Sequence, residues 1–176
     1  DPYLKSPISY ENGLQINNSH IYEVKGEWDI ITYHHAFEHI PDPIEHMKKV
    51  YNLLKPGGIC VIRIPTASSY AWKHYGVNWV QLDAPRHFFL HSRESMQLVG
   101  EKANLELYNV IYDSNHFQFM GSEKYIKDES LITPVKKGFM NKIRGKIERR
   151  HYQRKAEALN KQKKGDQAAF FFQKKA

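Results

Sequence analysis

Cysteine is nearly missing from this chain: Cys60 is the only one among 176 residues. That excludes a disulfide framework and a cysteine-based zinc site, and it agrees with a reducing, cytoplasmic setting. Long apolar runs are missing too. None reaches the length that spans a bilayer, and the first residues lack a secretory-signal layout, so a soluble protein is expected. No two of the ten glycines stand in a G-x-G arrangement, so the glycine-rich turn that cradles a nucleotide is not in the chain. Internal repeats are absent, and the only compositionally biased stretch is rich in lysine.

The composition that remains is globular, 41% hydrophobic and 13% aromatic, at a length suited to one domain. Charge is unevenly spread. Residues 136–164 hold twelve Lys and Arg against Glu148 and Glu157, a local balance of +10 within a total of +7, so the rest of the chain sums to −3. A slightly acidic body thus bears one strongly basic segment.

Residues 27–35 (EWDIITYHH) read as a buried strand. A helix signature follows: Asp42 as cap, Pro43 at the first position, Glu45 to complete a capping box, and an apolar stripe of Ile44, Met47, Val50, Tyr51 and Leu54. Pro56-Gly57-Gly58 reads as its stop, and ICVIRIP (59–65) as a second strand. Both strands are nearly continuously apolar, as when helices cover both faces of a parallel sheet. Residues 66–91 look irregular and aromatic. Ser92 caps a helix over 93–103 with Asn104 in a left-handed exit, residues 105–113 form a further strand, and 166–174 another. The basic segment from about Pro134 to Lys164 reads mostly as helix, with Phe139, Ile143, Ile147, Ala156 and Leu159 as a thin apolar stripe and Gly138 and Gly145 weakening its first half.

His35-x-x-Glu38-His39 matches the inverted zinc-hydrolase spacing, which needs both histidines on one sustained helix. Here they follow a strand, and Pro41 disfavours helical geometry at Ile40. The two histidines therefore belong to a strand-to-helix turn, and no metal site is expected from them. Such a turn lies beyond the carboxyl end of a strand, where ligands bind in open α/β sheets.

Taken in order, EWDIITYHHAFEHIPDP, NLLKPGGICVIRIP and WVQLDAPRHFFLHS resemble the class I S-adenosylmethionine-dependent methyltransferases, in the subgroup with hxLEH-like, LKPGG and PRH steps. The resemblance covers most of residues 1–121, and GDQAAFFFQK (165–174) is similar to the antiparallel strand that closes such sheets. It implies an α/β fold with a Rossmann-like methyltransferase sheet, mostly parallel with an antiparallel last strand, lacking the first strands in this chain. The implied core is 1–121 with 165–176, and 122–164 is a basic, mainly helical insertion. The departure is the absent glycine loop. The chain reads as beginning at the end of the second strand, so the resemblance extends to the C-terminal two-thirds only.

The resemblance implies S-adenosylmethionine as cofactor. Asp1 would pair its ribose hydroxyls, Asn18 and Ser19 would follow a third strand near Leu14–Ile16 and approach the adenine, and His34, His35 and Ala36 would line its far side. Asn18 and Ser19 read equally as a polar turn, and His35 as a buried structural histidine. Glu38 and His39 would face the meeting point of methyl donor and acceptor, with His39 as base or as a turn-fixing group. His87 and Arg86 belong to the PRH step, His87 as a further catalytic candidate. Tyr70, Trp72, Tyr75, Trp79, Arg86 and His91 form an acceptor wall of flat apolar surfaces with polar tips, suited to a small molecule, sugar or lipid precursor. The aromatics among them also read as core sealing. The basic segment suits contact with an anionic membrane surface better than nucleic acid, since no base-reading motif accompanies it. It also reads as a solvated face or a lid. The rival class is a truncated, non-catalytic binding module.

Overall fold

The computed structural model describes residues 4–132 and 139–175. Two short strands, β1 (Ile8–Ser9) and β2 (Gln15–Ile16), pair antiparallel. Gly13 turns the chain between them at φ +85°, and the Tyr10 N–H donates to Leu14 O at 2.8 Å. The strand expected near Leu14–Ile16 is therefore one arm of a hairpin, paired to Ile8 and Ser9 and outside the main sheet.

The main sheet has β3 (Trp28–His34), β4 (Leu54–Pro65), β5 (Leu105–Tyr112) and β6 (Gln167–Lys174), ordered β3-β4-β6-β5. β3 and β4 run parallel, with Ile31 opposite Cys60, and β6 lies antiparallel between β4 and β5. The expected closing strand is thus present, and it sits in the interior of the sheet because Phe170 and Phe172 fill the core.

Between β3 and β4 runs α1 (Pro43–Leu53), with Met47, Val50 and Leu53 buried. Pro43 occupies the first turn, where its missing N–H costs nothing. The expected capping box is not formed. The Asp42 side chain makes no cap bond, and Glu45 instead accepts from Lys48 Nζ at 2.8 Å. Pro56-Gly57-Gly58 is not a helix stop but the entry of β4, where the β3–β4 register shifts. Gly57 takes φ +77°, and a Cβ at Gly58 would lie 2.9 Å from Lys55 O.

After β4 come α2 (Tyr70–Tyr75) and α3 (Arg93–Lys102). The stretch expected to be irregular thus contains a helical turn, capped by Ser69 Oγ accepting from Trp72 N–H. Ser92 caps α3 as the sequence predicts, and Asn104 leaves it at φ +58°. α4 (Phe117–Ile126) straddles the boundary drawn at 121/122, and α5 (Phe139–Lys161) forms the basic helix. Pro134 and Gly138 lie outside the described residues.

The core lies between one sheet face and helices α1 and α3, where Cys60, Ile62 and Ile64 meet Met47, Val50 and Met96. The other face is less covered than the continuous apolar pattern predicts: Ile30 is 61% and Ile111 49% exposed. A second cluster joins α2, α4 and α5 through Tyr75, Trp79, Phe119, Ala156 and Leu159. In the α5 stripe Ala156 and Leu159 are buried, whereas Ile147 is 62% exposed.

Gly100 is where α3 comes closest to the sheet; a Cβ there would meet the Phe172 ring at 2.6 Å and Leu105 O at 3.0 Å. Gly100→Ala is expected to lower stability, because overpacking costs roughly 1–3 kcal/mol against the ~1 kcal/mol that alanine gains in a helix. Urea unfolding reads the change, and a more stable variant would contradict this packing.

Candidate active site

The site starts where β3 ends. His35 leaves the strand at φ +49°, while its N–H still donates to Arg63 O at 2.9 Å. A left-handed backbone at a residue with a side chain costs roughly 1–3 kcal/mol, and such strain concentrates at functional positions. The 3₁₀ turn Phe37–His39 then reverses the chain, burying Phe37 and Glu38 and leaving His39 exposed.

The loop 81–91 closes over this turn. Glu38 O accepts from the N–H groups of Phe88 at 2.9 Å and Phe89 at 3.4 Å. His39 Nδ1 donates to Arg86 O at 2.8 Å, and His87 Nδ1 donates to Gln81 O at 3.0 Å. A carbonyl only accepts, so Nδ1 carries a proton in both rings and Nε2 is left as the lone pair of each neutral imidazole. The two rings lie 4.9 Å apart.

Glu38 sits beneath them. It is 1% exposed, and neither of its carboxylate oxygens has a hydrogen-bond partner among the described residues. Oε1 lies 3.4 Å from His35 Nδ1 and 3.9 Å from His87 Nε2. An isolated buried carboxylate costs several kcal/mol unless a positive group offsets it. One donor atom from each of Glu38, His39 and His87 lies within 4.8 Å of the others, a set able to hold a metal ion.

His91 closes the back of the cluster. It is 4% exposed, its rings neighbours are Phe37 and Phe89, and its Nε2 has no partner among the described residues. Burial pushes its pKa down to about 4, with the charge of Glu38 opposing. Burial likewise pushes His46 on α1 down to about 4, and its Nε2 faces the Tyr33 hydroxyl at 2.9 Å.

The structure brings together Glu38, His39, His87 and His91, with the Arg86 backbone, and places His34, His35 and Ala36 exposed at the strand tip. Asn18 is exposed and its Nδ2 donates to Leu4 O at 2.5 Å, while Ser19 is half-buried beside it. Asp1 lies outside the described residues. Part of the expected acceptor wall serves the fold instead. Trp79 is fully buried and its Nε1–H donates to Asp166 Oδ2 at 3.0 Å, so it cannot face a ligand. Tyr75 is buried and donates to Glu123 Oε1 at 3.0 Å. Trp72 packs 5.9 Å from Trp79, and Tyr70 stacks on His74 at 5.2 Å. These four belong to the second cluster and not to the site. The Arg86 guanidinium is held by Asp83, with contacts of 2.8 and 2.6 Å.

Two contributors escape a reading of the sequence. Asp83, at φ +43°, holds Arg86 and places Oδ2 3.8 Å from His87 Nε2. Arg63 pairs with Asp113 at 2.5 Å and donates from Nη1 to His35 Nε2 at 3.0 Å, fixing the strand tip. The signal for Arg63 was available: a cation inside the apolar strand ICVIRIP requires a partner. Asp83 carries no such signal among the polar residues of a loop.

A family model for a methyltransferase domain matches residues 6–110. Among solved structures, the chain is similar to a SAM-dependent methyltransferase from Thermotoga maritima at 21% identity and a TM-score of 0.54, over 87% of this chain and 59% of that one. It is also similar to a SAM-dependent methyltransferase from Archaeoglobus fulgidus (14%, TM-score 0.47, 84% and 60% covered). A mycolic acid cyclopropane synthase in complex with SAH matches at 13%, a TM-score of 0.49, and 89% and 59% covered. The chain therefore spans about three-fifths of the length of these structures, 59% of the first. Among curated proteins no sequence matches it.

The low pKa of His91 makes a signed prediction. The unfolded residue binds a proton near its ordinary 6.5, whereas the folded one stays neutral down to about 4. Its contribution to stability is therefore complete above pH 6.5 and shrinks as the pH falls toward 4, at up to about 1.4 kcal/mol per unit. Asp166 works in the opposite direction, because burial pushes its pKa up to about 6 against the bonds from Trp79 and Ser114. His91→Phe isolates the histidine. The stability difference between variant and parent should move in the variant's favour between pH 6.5 and 4, and a constant difference in urea midpoints would contradict it.

Proposed function

The chain belongs to the methyltransferase-domain family, and from that membership we propose that it passes a methyl group from S-adenosylmethionine to a hydroxyl oxygen of a small molecule, a sugar or a lipid precursor. The observation that supports an oxygen acceptor is the pair of histidines above Glu38, each with Nδ1 bonded to a backbone carbonyl. An aromatic amine is neutral near pH 7 and already presents a lone pair, but a hydroxyl must lose a proton, and this cluster suits that task.

S-adenosylmethionine, when bound, supplies a methyl group on a sulfonium leaving group. The strand tip fits one wall of its site: His34, His35 and Ala36 are exposed, the backbone there is non-helical, and Ala36 has no bulk to fill the space. His39 Nε2 would accept the hydroxyl proton. The buried charge of Glu38 would offset the imidazolium so formed, more strongly than in water because the carboxylate is screened from solvent. His87, fixed by Gln81 O, narrows the space beside His39, and the exposed Phe88 and Phe89 offer a flat apolar surface to the acceptor. Positioning is the remaining need, since methyl transfer requires an in-line approach.

The first half of α5 supports an acceptor at or near an anionic membrane surface. Exposed Met140, Ile143 and Ile147 alternate with Lys142, Arg144, Lys146, Arg149 and Arg150, a basic and weakly amphipathic pattern that suits such surfaces chiefly through its charge. No helix among the described residues is long and apolar enough to cross a membrane.

A panel of phenolic, sugar and amine acceptors with radiolabelled methyl donor tests the reading, alongside calorimetric titration of S-adenosylhomocysteine. His39→Ala should lower kcat with hydroxyl acceptors by roughly 10²–10⁴-fold, leave aromatic amine acceptors nearly unaffected, and preserve cofactor binding. Full turnover by His39→Ala on a hydroxyl acceptor, or cofactor binding with methylation of amines alone, would sink the oxygen assignment.

A further inference from the structure

The three groups at the heart of the site were brought together from distant parts of the chain. Glu38 and His39 lie on the turn after β3, and His87 comes from the loop that folds back over it. We propose that Glu38, His39 and His87 form a binding site for a borderline divalent cation, with Zn²⁺ as the fitting case.

The chemistry of the donor set is the first support. Two imidazoles and one carboxylate match the ligands of open zinc and non-haem iron sites, where three protein groups leave further positions for water or substrate. The second support is the environment of each histidine. Metal-binding histidines usually donate their other ring N–H to a backbone carbonyl or carboxylate, which fixes the tautomer and aims the lone pair at the ion. His39 does so to Arg86 O at 2.8 Å, and His87 to Gln81 O at 3.0 Å. The third is independent of both. Glu38 is 1% exposed, yet both of its oxygens lack a hydrogen-bond partner among the described residues, and a buried carboxylate in that condition calls for a positive charge.

Distances agree. Donor atoms around tetrahedral Zn²⁺ stand about 3.4 Å apart, given bond lengths near 2.0–2.1 Å. Glu38 Oε1 and His87 Nε2 are 3.9 Å apart, and the three donors fall within 4.8 Å.

This is not the site that the His35-x-x-Glu38-His39 spacing suggests. His35 has no lone pair left for an ion, since its Nε2 accepts from Arg63 Nη1 at 3.0 Å and its Nδ1, the protonated nitrogen, lies 3.4 Å from Glu38 Oε1, and it lies at a left-handed residue outside any helix. His87, which the spacing omits, supplies the third donor. The cation and the base role share His39, so they are alternative states of one cluster, and each has its own readout.

The test is calorimetric titration of ZnCl₂ into the full chain, with Co²⁺ absorption as a second probe and with neither methyl donor nor acceptor present. One equivalent should bind saturably. Glu38→Gln and His87→Ala should each weaken it by more than the roughly 10–100-fold that loss of an outer-shell partner costs, while His151→Ala on the exposed face of α5 should change nothing. Far-UV circular dichroism establishes that each variant is folded. If Glu38→Gln is not, the exposed His39→Ala serves in its place. No saturable binding, or equal affinity in the folded ligand variants, would overturn the site. That failure would leave the methyl-transfer reading standing, because turnover is measured separately.

Discussion

The turn after β3 and the loop 81–91 are sewn together by three hydrogen bonds, a fourth braces the loop from within, and the geometry of the site depends on them. Two run from Phe88 and Phe89 N–H to Glu38 O, and two fix the rings of His39 and His87 to Arg86 O and Gln81 O. Without the first pair the loop has no register on the turn; without the second the histidine lone pairs have no fixed direction. The cost of the arrangement falls on Glu38, buried with its oxygens unbonded, and on the left-handed residues His35 and Asp83. Such strain persists only where the surroundings over-determine it.

The surroundings do so from both ends of the loop. At its start, Trp79 is locked by the bond to Asp166, and Val80 N–H donates to Ser122 Oγ at 3.0 Å. At its end, His91 O accepts from Ala67 N–H at 3.0 Å and the His91 ring is buried against Phe37. The second apolar cluster, against which Leu82 and Leu90 pack, therefore anchors the loop whose middle supplies His87. The basic helix α5 takes part through Ala156 and Leu159, which are buried in that cluster, while its first half stays exposed.

Much of the fold was legible because strongly patterned segments carry their own signals. β3, α1, α3 and β6 follow from apolar runs, Pro43 and Ser92. Glu38, His39, His87 and His91 were also legible as candidates, through the order of the turn, the LKPGG step and the PRH step. What escaped depends on contacts between distant residues. Nothing local distinguishes Trp79, sealed by a bond across 87 residues, from an aromatic that faces a ligand. The capping box failed because Glu45 found Lys48 one turn ahead, a competition that spacing alone does not decide. The short hairpin at Gly13 took the residues that resemble a third strand, and a two-residue strand has too little pattern to choose its sheet.

Both roles of the cluster depend on which nitrogen of each imidazole ring carries the proton, and nitrogen-15 NMR of histidine-labelled protein at pH 8 reads it directly. The shifts and couplings of His39 and His87 should each show the Nδ1–H tautomer, with Nε2 free to take a proton or a cation. If either ring instead carries its proton on Nε2, the carbonyls of Arg86 and Gln81 do not orient it, and neither the base role nor the cation site can be built on this cluster.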